Sequence, residues 1–536
     1  MRLLVIIIFL LGIFHFDIAL ASPSCRGMHR SFHCGNQKCE SRLGENSQTC
    51  PFDCKTDDFQ SYNHQTICTK VQKTLTPRTI DEVIGEIQKA AKVKVSGKGH
   101  TANGQICSDD LLIVTEKLKK IEGPFEMAGE SVVKVEAGVT LTELAEYLHA
   151  RGKTIGLSHP QYKHLTVVGV LQTGSHGSSL KESASFQTQL RGLKMVLSHG
   201  EVKEYFRETT PARDWKALTV GLGSLGYVHE IYLQIFDDFR LETTWKEQDE
   251  GQFLAGSDVA IEEVCDINQY VWFPGSKKLL SWCANKTLKP AVKNSESTFI
   301  SNNVPKWQRG FARYVVHMGQ CSSLHGKLAE KTRISAFSES PPLRYLSHIK
   351  RNGTLVYKYT NQLVTHSKDV VLSYYDESAP LYSLNDYAFS IGPEYRLAAL
   401  KFLGNEIKKN EIYLPIFGLN IRFNPINDQS YLGLNAESKN YPKGDYALIV
   451  DLISYQPRNV PNEKRFREFY DNLVKVLITQ YKAKLHWAKN NDELFKFYGV
   501  HGNYGEQLKA FEKVRKEFDP LDKFKNDFIE SVMPSN

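Results

Sequence analysis

The sequence predicts an α+β protein of more than one domain, with a small disulfide-rich segment in front of it. Three observations carry this. From residue 77, short capped helices alternate with β-branched runs. Glycine-bearing turns recur at 97–100, 173–179 and 221–226, each beside an apolar stretch. Six of the ten cysteines crowd into residues 25–68 of a 536-residue chain, which is too long for one domain.

The first element is a leader. Arg2 gives a basic start, Leu3 to Leu11 is an unbroken apolar run, and Ala19-Leu-Ala-Ser22 offers small residues for cleavage. His15 and Asp17 interrupt the run before it reaches the roughly 20 apolar residues a bilayer span needs. Residues 1–22 therefore read as a secretory signal peptide, and no transmembrane segment is expected in the mature chain. Residues 23–60 hold Cys25, Cys34, Cys39, Cys50 and Cys54 with almost no aliphatic residues, a composition that needs disulfides to hold a shape. A zinc ribbon is the rival reading. The gaps Cys34–Cys39 and Cys50–Cys54 are wider than paired zinc ligands use, so no metal is expected. Pairing stays open at this stage. Asn285-Lys-Thr287 and Asn352-Gly-Thr354 are glycosylation sequons. A net charge of +7 spread over this length, without a basic stripe, argues against a nucleic-acid partner.

Thr79 and Glu82 cap a helix whose apolar face is Ile80, Val83, Ile84 and Ile87. Val93 and Val95 begin a strand that runs into Ser96-Gly97-Lys98-Gly99-His100-Thr101, a turn whose backbone can approach a diphosphate closely. The same pattern also builds ordinary turns. Leu111 to Val114 and Val132 to Val135 read as strands. Thr140 and Glu143 cap a second helix that stops at Gly152. The apolar run at Leu165 breaks into Thr173-Gly174-Ser175-His176-Gly177-Ser178, a second cradle for an anion, although His176 also reads as a hydrogen-bonded loop histidine. Leu193 to Tyr205 is a hairpin turning at His199-Gly200. Gly221-Leu-Gly-Ser-Leu-Gly226 has the spacing of a dinucleotide fingerprint but precedes a strand, not a helix.

The ordered set Gly97-Lys-Gly-His100, Val135-Glu-Ala-Gly138, Leu165-Thr-Val-Val-Gly169, Thr173 to Gly177 and Gly221 to Gly226 resembles the FAD-binding half of vanillyl-alcohol-oxidase-type (PCMH-type) flavoproteins. Within them it is most similar to the sugar-1,4-lactone oxidases, the L-gulonolactone oxidase type and its plant relatives. The resemblance implies a two-subdomain FAD-binding domain over 61–240, an α/β substrate cap over 241–480, and a segment over 481–536 that returns to the flavin. It implies FAD held by Ser96, Gly97, Lys98, Gly99, His100 and Thr101, by Gly169 and by Thr173 to Ser178, with Gly226 and Val228 on the adenosine side. His100 stands where many members attach the flavin covalently. Lys98 departs from the glycine that relatives more often carry.

Pro415 to Phe423, His486-Trp-Ala-Lys489 and Phe518-Asp-Pro520 extend the resemblance to the carboxyl end. Asn420 and Arg422 fall on one face of a strand. Arg422 and Lys489 would stabilise negative charge that develops during oxidation. Asn420 stands where lactone and alditol oxidases carry glutamate, and an amide cannot take a proton. His486 completes the expected catalytic set.

The resulting expectation is a secreted FAD-dependent oxidase of an aldonolactone, best L-gulono-1,4-lactone, with dioxygen as acceptor. One alternative keeps the fold for another carbohydrate or alcohol, since Pro160-Gln161 differs from polyol-oxidising relatives. Another is a secreted binding or matrix protein that keeps the fold without turnover.

Overall fold

The structure is a computed structural model. It describes residues 58–255, 265–291, 362–368, 384–455 and 463–533 apart from a few single positions and pairs, with short pieces at 39–43, 54 and 326–334. The expected signal peptide, most of the cysteine segment, Gln161, Cys321 and the sequon at Asn352 lie outside the described residues.

Two sheets build the amino-terminal half. The first is parallel and three-stranded, in the order Lys73–Leu75, Leu111–Val114, Val93–Ser96. The helix Ile80–Lys89 covers it, starting at Thr79, whose side chain accepts from Glu82 N–H, and burying Val83 and Ile87. The Glu82 carboxylate bonds Arg78 N–H, so the expected reciprocal cap forms only on the threonine side. At Thr140 and Glu143 both halves of the capping box are present.

The second sheet is antiparallel and five-stranded: Val202–Phe206, Leu190–Val196, Tyr227–Gln234, Glu130–Glu136, Ile121–Met127. The hairpin turns at His199-Gly200 as expected, with Gly200 at φ +90°. The run after Thr166 forms a short helix, Val167–Gln172, which places Thr173 to Ser178 at its carboxyl end.

The cap is one antiparallel sheet of eight strands: Gln362–His366, Arg240–Asp249, Lys278–Thr287, Ile267–Phe273, Leu419–Pro425, Tyr446–Tyr455, Leu384–Ile391, Lys484–Leu485. The aromatic strands expected at 270–274 and 281–283 are the fourth and third of these. The disulfide Cys265–Cys283 ties them at one end. Strand Lys484–Leu485 belongs to this sheet, so the His-Trp-Ala-Lys stretch emerges directly from the cap. The carboxyl end then returns to the first sheet. Val93 N–H donates to Lys523 O, and Phe524 is buried with Val83, Ile87, Leu111 and Ile113 in one cluster.

Candidate functional site

One cleft lies where the two amino-terminal sheets meet the cap. It encloses about 1180 Å³ of space including its open mouth.

Strand Val93–Ser96 delivers the turn that forms one wall. Gly97 is there because of crowding: a Cβ would overlap the Thr166 side chain. Gly99 is there because of conformation, at φ +64°. Lys98 is exposed at the mouth. Ala102 N–H donates to Ala488 O at 2.9 Å, and Asn103 Nδ2 donates to Trp487 O at 2.9 Å and Lys489 O at 3.1 Å. These bonds fix the turn against residues 486–489, from the far end of the chain.

His100 sits between two tyrosines. The Tyr62 ring stacks on it at 3.8 Å, and Tyr162 is tilted against it at 5.2 Å. Its Nε2 is buried with no hydrogen-bond partner in the structure. Burial, with help from the Lys489 charge, holds its pKa well below the ordinary histidine value. The ring is therefore neutral near pH 7.

Tyr62 comes from the segment after the cysteine-rich region. Tyr62 N–H donates to Gly99 O at 2.8 Å, and the disulfide Cys68–Cys107 closes the segment onto the far side of the same turn. The Tyr62 hydroxyl bonds Asp386, and Lys489 Nζ bonds both the hydroxyl, at 3.2 Å, and Asp386. Burial alone would pull the Lys489 ammonium down, but Asp386 and Tyr62 overcome it and raise the pKa. Lys489 is thus a fixed cation with its own counter-ion.

The second cation behaves likewise. Arg422 Nη1 lies 3.2 Å from Asp451 Oδ2, and both line the cleft. Asn420 does not line it. It pairs in register with Asp451 on the neighbouring strand, and its Oδ1 faces Gln269 Nε2 at 3.5 Å. Asn420 thus shares the sheet face of Arg422 and Asp451 without lining the cleft itself. Asp451 takes the place on the cleft wall and is the one carboxylate among its described lining residues.

Two further histidines meet here, 5.7 Å apart between ring centres. His176 Nδ1 lies 3.0 Å from Gly177 O, so it carries the proton and Nε2 keeps a lone pair. His486 Nδ1 accepts from Ala488 N–H at 3.1 Å, so its proton sits on Nε2. Burial, then Arg422, holds His176 down at about 4, and burial, then His176, holds His486 well below its usual value. The pair presents one acceptor and one donor, both neutral.

Of the expected cofactor-binding residues, Ser96, Gly97, Lys98, Gly99, His100, Thr101, Gly169, Thr173, Ser175, His176, Gly226 and Val228 line the cleft. Gly174, Gly177 and Ser178 do not. The Ser178 hydroxyl instead bonds Asn268 O on the cap sheet, holding the loop in place rather than offering a donor to a ligand. Thr173 Oγ1 donates to Gly169 O at 2.9 Å. Buried Lys94 supports the last glycine loop. Its Nζ reaches Leu222 O, Gly223 O and Phe524 O, and burial lowers its pKa to about 7.

Tyr62, Tyr162, Asp386 and Asp451 were not legible as site residues from motifs. Asp451 did carry a signal, because it alone interrupts the aliphatic run Ala447-Leu-Ile-Val-Asp451-Leu-Ile453. A carboxylate in a buried strand is rare unless paired.

Residues 71–205 match the family model for an FAD binding domain, and residues 231–532, more than half the chain, match that for D-arabinono-1,4-lactone oxidase. The chain belongs to the D-arabinono-1,4-lactone oxidase family. It is an FAD-dependent oxidoreductase of the sugar-1,4-lactone oxidase type, and oxygen is the acceptor in this family. It is 26% identical to "Probable L-gulonolactone oxidase 1" of Arabidopsis thaliana, over 92% of this chain and 84% of that one. It is 23% identical to L-gulonolactone oxidase of Scyliorhinus torazame, over 85% and 94%. It is 24% identical to D-arabinono-1,4-lactone oxidase of Eremothecium gossypii, over 84% and 90%. The fold matches a solvent-stable cholesterol oxidase with a TM-score of 0.67 at 17% identity, covering 89% of this chain and 97% of that one. The residues present fit a flavin of this family, because an unpartnered buried imidazole nitrogen faces a cleft walled by close-packed glycine turns.

Proposed function

We propose that the chain oxidises an aldono-1,4-lactone, best L-gulono-1,4-lactone, at the carbon beside the carbonyl, giving an ascorbate-type enediol and hydrogen peroxide. The observation that carries this reading is the convergence of Arg422, Asp451, His176, His486 and Lys489 on the cleft that holds His100. When bound, FAD would supply the two-electron redox chemistry between the lactone and dioxygen. The turn 96–101 and Gly169 would hold its diphosphate and ring region, Gly226 and Val228 its adenosine side, and His100 would carry it covalently.

The protein's own groups divide the remaining work. Arg422 stabilises negative charge that builds on the lactone oxygen as the adjacent carbon is oxidised. His486, on the lining of the same cleft, offers a neutral Nε2–H donor. Asp451 or the His176 Nε2 lone pair takes the hydroxyl proton. Asp451 is the first choice because it is the one carboxylate among the described residues lining the cleft. Lys489 keeps the field positive beside His100 and holds Tyr62 in place.

Oxygen uptake and peroxide release over a panel of aldonolactones and alditols test the reading. Turnover of lactones with little or none of alditols is expected, and turnover of alditols alone would overturn it. We further propose that the chain enters the secretory pathway. The leader at 1–22, the disulfides Cys39–Cys54, Cys68–Cys107 and Cys265–Cys283, and the exposed Asn285 sequon support this. In a eukaryotic host the protein should appear in the medium and lose mass on enzymatic deglycosylation. Retention in the cytosol without glycans would contradict it.

A further inference from the structure

Away from the cleft, three metal-ligand side chains meet where the amino-terminal half joins the cap. His149 ends the helix Leu141–His149, Asp238 lies in the connection between the halves, and His366 ends the edge strand Gln362–His366 of the cap. A donor atom from each lies within 4.8 Å of the other two. We propose that His149, Asp238 and His366 bind a divalent d-block cation of the zinc type.

The donor set selects the ion. Two imidazoles and one carboxylate suit Zn²⁺, Co²⁺, Ni²⁺ or Cu²⁺, whereas Mg²⁺ and Ca²⁺ prefer oxygen alone. Ligands held about 2 Å from a tetrahedral zinc sit roughly 3–3.5 Å apart, so the observed spread closes by small side-chain rotations. His149 Nδ1 already lies 2.7 Å from Asp238 Oδ2. The imidazole rings are edge-to-face with centroids 4.8 Å apart.

The carboxylate is oriented before any ion arrives. Asp238 Oδ1 accepts from Ser367 Oγ at 2.8 Å and from Phe239 N–H at 2.9 Å, which leaves Oδ2 to face the histidines. Metal sites use outer bonds of this kind to fix a ligand's direction. The backbone is fixed too: Asp238 N–H donates to Gly152 O, and Ser367 N–H donates to Phe239 O. Among the described residues no lysine or arginine pairs with Asp238, so its charge is available to a cation. A second cluster, Glu136, His229 and Glu230, lacks this property. There Glu136 accepts from Lys120 N–H, and Glu230 faces the Lys134 ammonium.

None of the three ligands lines the flavin cleft, so the ion would act on the structure. It would join the helix, the connection and the cap edge, and three protein ligands would leave a position for water. The ligands come from three distant parts of the chain, and so no local spacing announces the site.

The test uses the full flavoprotein, stripped with a chelator and titrated with Zn²⁺ against a chromophoric competitor near neutral pH. Wild type should take up a single stoichiometric zinc and melt at higher temperature with it. Asp238→Asn and the pair His149→Ala, His366→Ala should lose that binding. Ser367→Ala should weaken it by about 10–100-fold. Should the double variant fail to fold, as judged by its flavin absorbance, His366→Gln alone carries the test. Wild type that takes up no zinc, or variants that bind it as wild type does, would overturn the proposal.

Discussion

Asp451 and Asn420 face each other across adjacent strands of the cap sheet, and only the first reaches the cleft. The acid is buried and lies beside Arg422. Removing the charge while keeping the shape separates its two roles. Asp451→Asn should lower kcat by roughly 10²–10⁴-fold, the range for loss of a positioned base, with the flavin still bound. A variant with wild-type kcat would assign proton removal elsewhere, with His176 next in line. Strand alternation put Asn420 and Arg422 on one face, because side-chain period is a local property, and Arg422 lines the cleft. Asn420 shares that face, opposite Asp451, but is not among the residues that line the cleft; that Asp451 stands opposite depends on the register between two separate segments. The lone aspartate in an aliphatic run was visible in the sequence, but its partner was not.

At the scale of elements, the piece from Phe59 to Cys68 joins the site to the region before it. Its two short strands, Phe59–Gln60 and Ile67–Cys68, pair with each other and present Tyr62 to His100. Gln60 O and the Phe59 ring lie against Gly99, close enough that a Cβ there would meet both. The cysteine-rich segment 23–60 reads from sequence as a piece held by disulfides, with the flavin resemblance starting after it, yet its carboxyl end touches the turn that holds His100. No motif marks Tyr62, and only packing reveals its role. The Cys68–Cys107 bond closes a loop of 39 residues, for which chain entropy gives a stabilisation of roughly 2–4 kcal/mol. Replacing both cysteines by alanine should lower the melting temperature and weaken the hold of Tyr62 on His100. Flavin fluorescence, rising as the ring stack loosens, would report the second effect. Unchanged melting and fluorescence would show that the hydrogen bonds Tyr62 N–H to Gly99 O and Thr66 Oγ1 to Ala102 O suffice alone.

For the whole molecule, the flavin half was legible in its turns, caps and hairpin, since each of these is written in a few consecutive residues. The cap was much less so. Its eight strands are ordered by long-range pairing, and strands from residues 240 and 484 share one sheet. The carboxyl end closes the structure by returning to the first sheet, where Asn526 Nδ2 bonds Gly104 O and Cys107 O at 3.0 and 2.8 Å. Sequence positions 94, 103, 386, 451 and 489 thus act together only because three segments converge on one turn.

The central claim is that this turn carries the flavin at His100. The direct measurement is the absorption spectrum of acid-precipitated, washed protein, for wild type and for His100→Ala. The account predicts a yellow wild-type pellet and a colourless variant pellet whose flavin is found in the supernatant. Flavin released from the wild type by acid, or retained by the variant, would contradict it.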